Sequence, residues 1–221
     1  CGISLATAPN RACYIPVGHI GMDLLSDRPE QLALAPVIER LKPLLEDPAV
    51  LKVGHNLKYD LIVLSRHGID VAPFDDTIVM SFDLDAGKHG HGMDELALEH
   101  LSHRCIAFKD VVGTGKKQLG FHQVDLPTAT RYAAEDADVT LRLWRRFRPR
   151  LAYESATRVY AMVDRPLVTV VAGMERAGVK VDAAALARLS EEFSGQIRAL
   201  EKEIHTLAGA EFTIGSPKQL G

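Results

Sequence analysis

From Arg131 to Thr140 the chain reads Arg-Tyr-Ala-Ala-Glu-Asp-Ala-Asp-Val-Thr, a composition that leaves little choice but helix. Three alanines and the absence of Gly and Pro favour that state. Just upstream, Asp125 offers an amino-terminal cap, and Pro127 has a fixed φ suited to a first turn. On such a helix Tyr132 and Asp136 stand one turn apart on one face, and Val139 and Leu143 continue that face into a core. A carboxylate beside a phenol suits a metal-bound water. Taken alone, the stretch also admits a plainer reading, with Asp136 a solvated carboxylate and Tyr132 a half-buried packing residue.

A second stretch, Leu51-Lys-Val-Gly-His-Asn-Leu-Lys-Tyr-Asp60, reads as a short strand, a Gly-His turn and a helix start. Asn56 is its expected cap, and Asp60 follows four residues later. Both candidate acids therefore fall near the amino-terminal parts of helices. The net charge of −3 over 221 residues excludes attachment to phosphate through a bulk basic field, so any nucleic-acid contact must be local. Cys1, Cys13 and Cys105 are odd in number and widely spaced, which fits neither a disulfide framework nor a zinc pattern and points to a reducing cytosol. No apolar run is long enough to span a bilayer, so no membrane partner is expected.

In chain order, Gly2 to Thr7 and Ala12 to Val17 alternate as an antiparallel hairpin about Pro9-Asn10. A helix is expected from about Arg28 to Glu46, with Leu32, Ile38, Leu41 and Leu45 inward and a bend at Pro43. After the Asn56 helix, which Gly68 ends, a strand is expected at Ile69 to Val71, and then a helix from Phe74-Asp-Asp-Thr to about Leu84. His89, His91, His100 and His103 invite a zinc reading, but no cysteine set accompanies them, and histidines on a surface loop need no metal. Gly113-Thr-Gly-Lys-Lys is not a phosphate loop: Asp110 stands where its first glycine belongs, and Lys117 where its Ser or Thr belongs. It reads as a basic loop near DNA or as a plain solvated one. Arg142, Arg145, Arg146, Arg148 and Arg150 suit either phosphate or a helix carboxyl end. Pro149 marks a boundary, after which Tyr153 to Arg176 reads as helix broken at Pro166. Beyond Gly178 and the cap Asp182, Leu186, Leu189, Phe193, Ile197, Leu200, Ile204 and Leu207 form one apolar stripe. Each is worth roughly 1.5–3 kcal/mol when buried, so the stripe needs a partner.

Asn56-Leu-Lys-Tyr-Asp60 and Tyr132-Ala-Ala-Glu-Asp136 resemble the second and third motifs of the 3'-5' exonuclease domain of the bacterial DNA polymerase I (family A) group, in the tyrosine branch of the Asp-Glu-Asp-Asp exonucleases. Tyr14-Ile-Pro-Val, Leu41-Lys-Pro-Leu-Leu-Glu-Asp, Gly92-Met-Asp-Glu-Leu-Ala, Gly178-Val-Lys-Val-Asp and Ser216-Pro-Lys-Gln-Leu extend the resemblance over nearly the whole chain. It implies an α/β, ribonuclease H-like domain over residues 1–151, a mixed sheet of about five strands flanked by helices. Residues 152–221 would be the all-helical start of the polymerase domain. The group's first motif, an Asp-x-Glu on the first strand, is absent: no aspartate here is followed two residues later by glutamate. The resemblance places Cys1 just after that strand, so the chain is expected to be truncated at both ends and inactive alone.

The same resemblance implies two magnesium or manganese ions in a complete site, with hard oxygen ligands from Asp60 and Asp136. Tyr132 would orient the nucleophile, since a phenol is a poor base at neutral pH. Asn56, Phe108 and Lys58 would contact a frayed single-stranded 3' end of primer-template DNA, although Asn56 and Phe108 are equally open to capping or core roles. Lys88 stands where the group carries an arginine, which weakens bidentate phosphate contact there. The rest of the polymerase chain would cover the 186–207 stripe, and a bacterial cytoplasmic, nucleoid-associated location would follow. Two other readings stay open: a ribonuclease D-like exoribonuclease, and a non-catalytic scaffold domain that has lost proofreading.

Overall fold

Strands β1 (Gly2–Ala8) and β2 (Arg11–Pro16) pair antiparallel across a turn in which Asn10 takes φ 62°, as the alternation predicts. The structure, a computed structural model, describes residues 1–20 and 29–220. The chain divides into two compact units, Cys1–Arg176 and Ala177–Gly221. In the first, β3 (Lys52–Gly54) pairs parallel with β4 (Phe74–Asp76), and the helices are α1 (Leu34–Glu46), α2 (Leu57–Ser65), α3 (Thr77–Asp85), α4 (Met93–Leu101), α5 (Phe108–Val112), α6 (Leu126–Tyr153), α7 (Thr157–Val159) and α8 (Arg165–Ala177).

Among the described residues the expected five-stranded mixed sheet is instead two separate two-stranded sheets. Ile69 and Val71 are buried with Val37, Leu41 and Leu45, but they pair with no strand. A short apolar run is buried equally well by packing or by pairing, so the pattern did not distinguish them. The two sheets share a support in α6, which packs on β1, β2 and β3 as well as on α3 and α4. Its buried face, including Ala129, Ala133, Val139, Leu143, Phe147 and Leu151, recurs mostly every four residues. The Asp125 side chain caps it as expected, accepting from Thr128 N at 2.9 Å. Two buttresses fix its position. Asn10 N donates to Asp138 Oδ1 at 2.5 Å, and the buried His19 bridges the Tyr14 hydroxyl (2.7 Å) to the Val124 carbonyl (3.1 Å).

Several boundaries moved for identifiable reasons. α1 begins at Leu34, while the expected start near Arg28 lies outside the described residues and Leu32 is exposed. α6 runs through Pro149, because Leu151 is buried beyond it and that packing outweighs the bond the proline removes. The helix breaks instead at Ser155, whose φ is 62°. A π-helical turn, Tyr160–Asp164, precedes Pro166, whose missing N–H disturbs the regular ladder.

The second unit holds α9 (Ala183–Ala208) and α10 (Pro217–Leu220). Asp182 caps α9 by accepting from Ala185 N at 2.9 Å, and Gly209 ends it with φ 69°. No helix of the described residues is long and apolar enough to cross a membrane.

Candidate active site

The Tyr132–Asp136 pair forms as its helical spacing requires. Burial, reinforced by the charges of Glu135 and Asp94, pushes the Asp136 carboxyl up to about 7, against the lowering effect of the Tyr132 hydroxyl that donates to it. Burial and then Asp136 hold the Tyr132 phenol above its ordinary range. Cys105 belongs to the same acidic surroundings: burial, then Asp94, Glu135 and Asp136, push its thiol up to about 12. The thiol is therefore an inert, protonated neighbour. Glu135 is turned away and anchored, its two oxygens bound to His103 Nε2 at 2.9 Å and Ile106 N at 2.6 Å. That leaves Asp94, in the first turn of α4, as the carboxylate that answers Asp136 from a second element.

An aromatic wall stands on Tyr132. The Phe108 ring lies 5.8 Å from Tyr132 and stacks at 6.1 Å on Phe121, which is itself 5.6 Å from Tyr132. Phe108 is 46% exposed, so one side of the stack is available to a planar ligand such as a base.

Asp60 occupies the first turn of α2 beside Asp76. Its residue is exposed by surface area, yet its carboxyl is crowded by neighbouring atoms; that crowding and the Asp76 charge push it up to about 6. Asp76 explains why Asn56 fails as a cap. Its buried carboxylate accepts from Asn56 N (3.1 Å), Leu57 N (2.7 Å) and Ile78 N (3.0 Å), and so serves the amino-terminal ends of both α2 and α3. Asn56 itself takes a left-handed φ of 61°, and its side chain makes no capping bond. Asn56 and Lys58 line a largely apolar cavity of about 370 Å³ that also includes Phe82 and His91. The Lys58 ammonium is paired with Glu175.

Of the residues singled out from sequence, Tyr132, Asp136 and Phe108 come together in one cluster. Asn56 and Lys58 share a cavity wall, and Asp60 neighbours Asp76. Sequence reasoning missed Asp94, Phe121 and Asp76. Asp94 lay within Gly92-Met-Asp-Glu-Leu-Ala, and Asp76 within Phe74-Asp-Asp-Thr, but each acts on residues far along the chain, which local spacing does not reveal. The histidines also sort themselves: His91 Nδ1 meets Ser81 Oγ at 2.8 Å and His103 meets Glu135, while His89 and His100 lie with Asp85.

The chain is similar along its length to bacterial DNA polymerases I. The DNA polymerase I of Rhizobium leguminosarum is 49% identical over the whole chain, and that of Pseudomonas aeruginosa is 45% identical, also over the whole chain. The chain spans only 23% and 24% of those relatives. Among solved structures, the POL domain of Pol1 from M. smegmatis in complex with DNA primer-template and dNTP superposes with a TM-score of 0.65 at 23% identity, covering 86% of this chain and 30% of that one. The apo form of a nuclease gives 0.60 at 18% identity, covering 83% and 80% respectively; both likenesses speak to the fold. Residues 1–152, most of the chain, match the 3'-5' exonuclease family, and the chain belongs to that family.

Proposed function

We propose that residues 1–151 are the proofreading 3'-5' exonuclease domain of a DNA polymerase I, removing 3'-terminal nucleotides, and that residues 152–221 begin its polymerase domain. The observation that carries this reading is the Tyr132–Asp136 pair set beside the exposed Phe108–Phe121 stack. The two strand pairs, both seated on α6, are read as parts of one ribonuclease H-like sheet. The substrate is the single-stranded 3' end of primer-template DNA in the bacterial cytoplasm, at the nucleoid.

A divalent ion fits the donors present. Asp60 and Asp136 are carboxylates held partly protonated by burial and by neighbouring negative charge, and a cation relieves that strain on the charged form. Oxygen donors suit magnesium or manganese, and when bound such ions supply charge stabilisation to attacking and leaving oxygens. Asp136 and Asp60 would hold them. Tyr132, kept protonated, orients the attacking water as a donor and does not act as the base. Phe108 packs the terminal base. Asn56 and Lys58 contact the last nucleotides, Lys58 by exchanging Glu175 for phosphate.

The test is nucleotide release from a 3'-unpaired DNA primer by the full-length protein. Asp136→Ala should abolish it. Tyr132→Phe should lower it by about ten- to a hundredfold, since only an orienting contact is lost. Equal activity on an RNA strand would favour the ribonuclease D-like reading. An unmodified protein inactive on both strands would favour the scaffold.

A further inference from the structure

Away from Asp60 and Asp136, the loop that leads into α4 folds back on the ends of two helices. His89, in that loop, lies against Asp85 at the end of α3 and against Glu99 and His100 on α4. One donor atom from each of Asp85, His89 and His100 lies within 4.8 Å of the others. The Nε2 atoms of His89 and His100 are both buried and have no hydrogen-bond partner. The tautomer of His89 follows from its other nitrogen. Nδ1 lies 2.6 Å from the Gly90 carbonyl, which can only accept, so Nδ1 carries a proton, and in the neutral ring it is Nε2 that presents a lone pair to the cluster.

Two imidazoles and the Asp85 carboxylate thus converge, with both Nε2 atoms buried and left without a partner, an arrangement that a cation would satisfy. Glu99 Oε2 stands 3.4 Å from His89 Nε2. Two donors each about 2.0–2.1 Å from a tetrahedral ion stand about 3.3 Å apart, and Asp85 Oδ2 lies 4.0 Å from His89 Nε2, so a modest approach of the two side chains closes that edge. Asp85 is oriented from behind: Arg150 grips both its oxygens at 2.8 and 3.1 Å, and Lys88 adds a third contact at 2.8 Å. Outer partners of this kind are what ligating carboxylates carry, as the Gly90 carbonyl is for a ligating histidine.

We propose that Asp85, His89 and His100 form a structural site for a divalent ion of the zinc class. The mixed imidazole and carboxylate set suits zinc and disfavours magnesium. No cysteine is needed, which is why counting cysteines in the sequence passes over it. The ion pins the 86–92 loop to α3 and α4, and α4 carries the Asp94 that faces Asp136.

The experiment strips the full 221-residue chain with chelator, adds zinc, and measures bound zinc per chain; cobalt added in its place is read by visible absorption. One equivalent of zinc and the intense bands of four-coordinate cobalt are expected. Both should persist in the Asp60→Asn/Asp136→Asn double variant, which separates this site from the proposed exonuclease ions. His89→Ala and His100→Phe should each weaken zinc by at least about a hundredfold, more than loss of an outer partner costs, while His91→Ala should not. Should His100→Phe misfold, His89→Ala carries the test, because metal-free it should unfold at the same denaturant concentration as the metal-free parent and lose only the zinc-dependent rise. Absence of stoichiometric zinc, or zinc retained by His89→Ala, overturns the proposal. So does nitrogen-15 NMR showing both ring nitrogens of His89 protonated at pH 7 in the presence of zinc, since the cluster is then an imidazolium ion pair.

Discussion

At the scale of single residues, Asp76 does the most for the architecture and was the hardest to find. One carboxylate, 1% exposed, accepts from three backbone N–H groups at the starts of two helices that begin twenty residues apart. Charge-assisted bonds to backbone donors are among the stronger ones, and a buried donor left without a partner keeps its full desolvation cost. Asp76→Ala should therefore lower stability by about 3 kcal/mol, and Asp76→Asn, which keeps one acceptor oxygen, by roughly half as much. Urea denaturation midpoints measure both. A loss under about 1 kcal/mol in the alanine variant would show that water replaces the carboxylate. Because α2 carries Asp60 in its first turn, the same variant should also lower exonuclease activity of the full-length protein without touching substrate. Tyr132 and Asp136 show the opposite case. Their relation is set by helix periodicity alone, so it was legible from the sequence, whereas the pairing of Asp136 with Asp94 arises only when α4 packs on α6.

Among elements, the long helices and the β1–β2 hairpin could be read, and the short parallel pair β3–β4 could not. α6 and α9 announce themselves by period, by cap and, for α9, by a terminal glycine, all within a turn or two of the residues concerned. Strands β3 and β4 are three residues each, too short for alternation to show, and their pairing brings together segments some twenty residues apart. The junction they form with α2 and α3 has its own pH signature. His55 Nδ1 lies 2.8 Å from Thr77 Oγ1, and that hydroxyl donates to the Gly54 carbonyl at 3.1 Å. Burial holds the imidazole down to about 4 from an ordinary 6.5. The folded chain keeps His55 neutral while the unfolded chain takes up a proton first. Its contribution is therefore fully present above pH 6.5 and is lost as pH falls from 6.5 through about 4. The raised carboxyls of Asp60 and Asp136 act in the opposite sense, so the difference between parent and His55→Gln is the useful quantity. That difference should shrink by about 2 kcal/mol between pH 7 and pH 4, as read from denaturation at a series of pH values. A constant difference would mean that His55 titrates normally.

For the whole molecule the decisive feature is the apolar face of α9. Leu186, Leu189, Phe193, Ile197, Leu200, Ile204 and Leu207 follow one another at spacings of three and four, and all remain exposed, from 36% at Ile204 to 81% at Leu207. A helix with one continuous apolar stripe gains most of its stability by burying it, and no residue of α9 is buried here. The chain spans about a quarter of its curated relatives, and the proposed polymerase domain would be the natural cover. Alone at raised concentration, the 221-residue chain should use a second copy instead, because contiguous apolar surface of this kind favours association. Sedimentation should then give a concentration-dependent mass above 24.2 kDa. Leu189→Glu with Phe193→Glu places two charges mid-stripe on residues that keep high helix propensity, so the helix should persist by circular dichroism while association falls away. The exonuclease reading predicts a further separation of effects. In the full-length protein the same pair of substitutions should weaken the joint between this helix and its cover while leaving Asp136, Tyr132 and the 3'-end chemistry in place. Nucleotide release from an unpaired primer should then survive better than primer extension. If the doubly substituted short chain associates as strongly as its parent, another surface holds the copies together, and the stripe is not what makes the isolated chain adhesive.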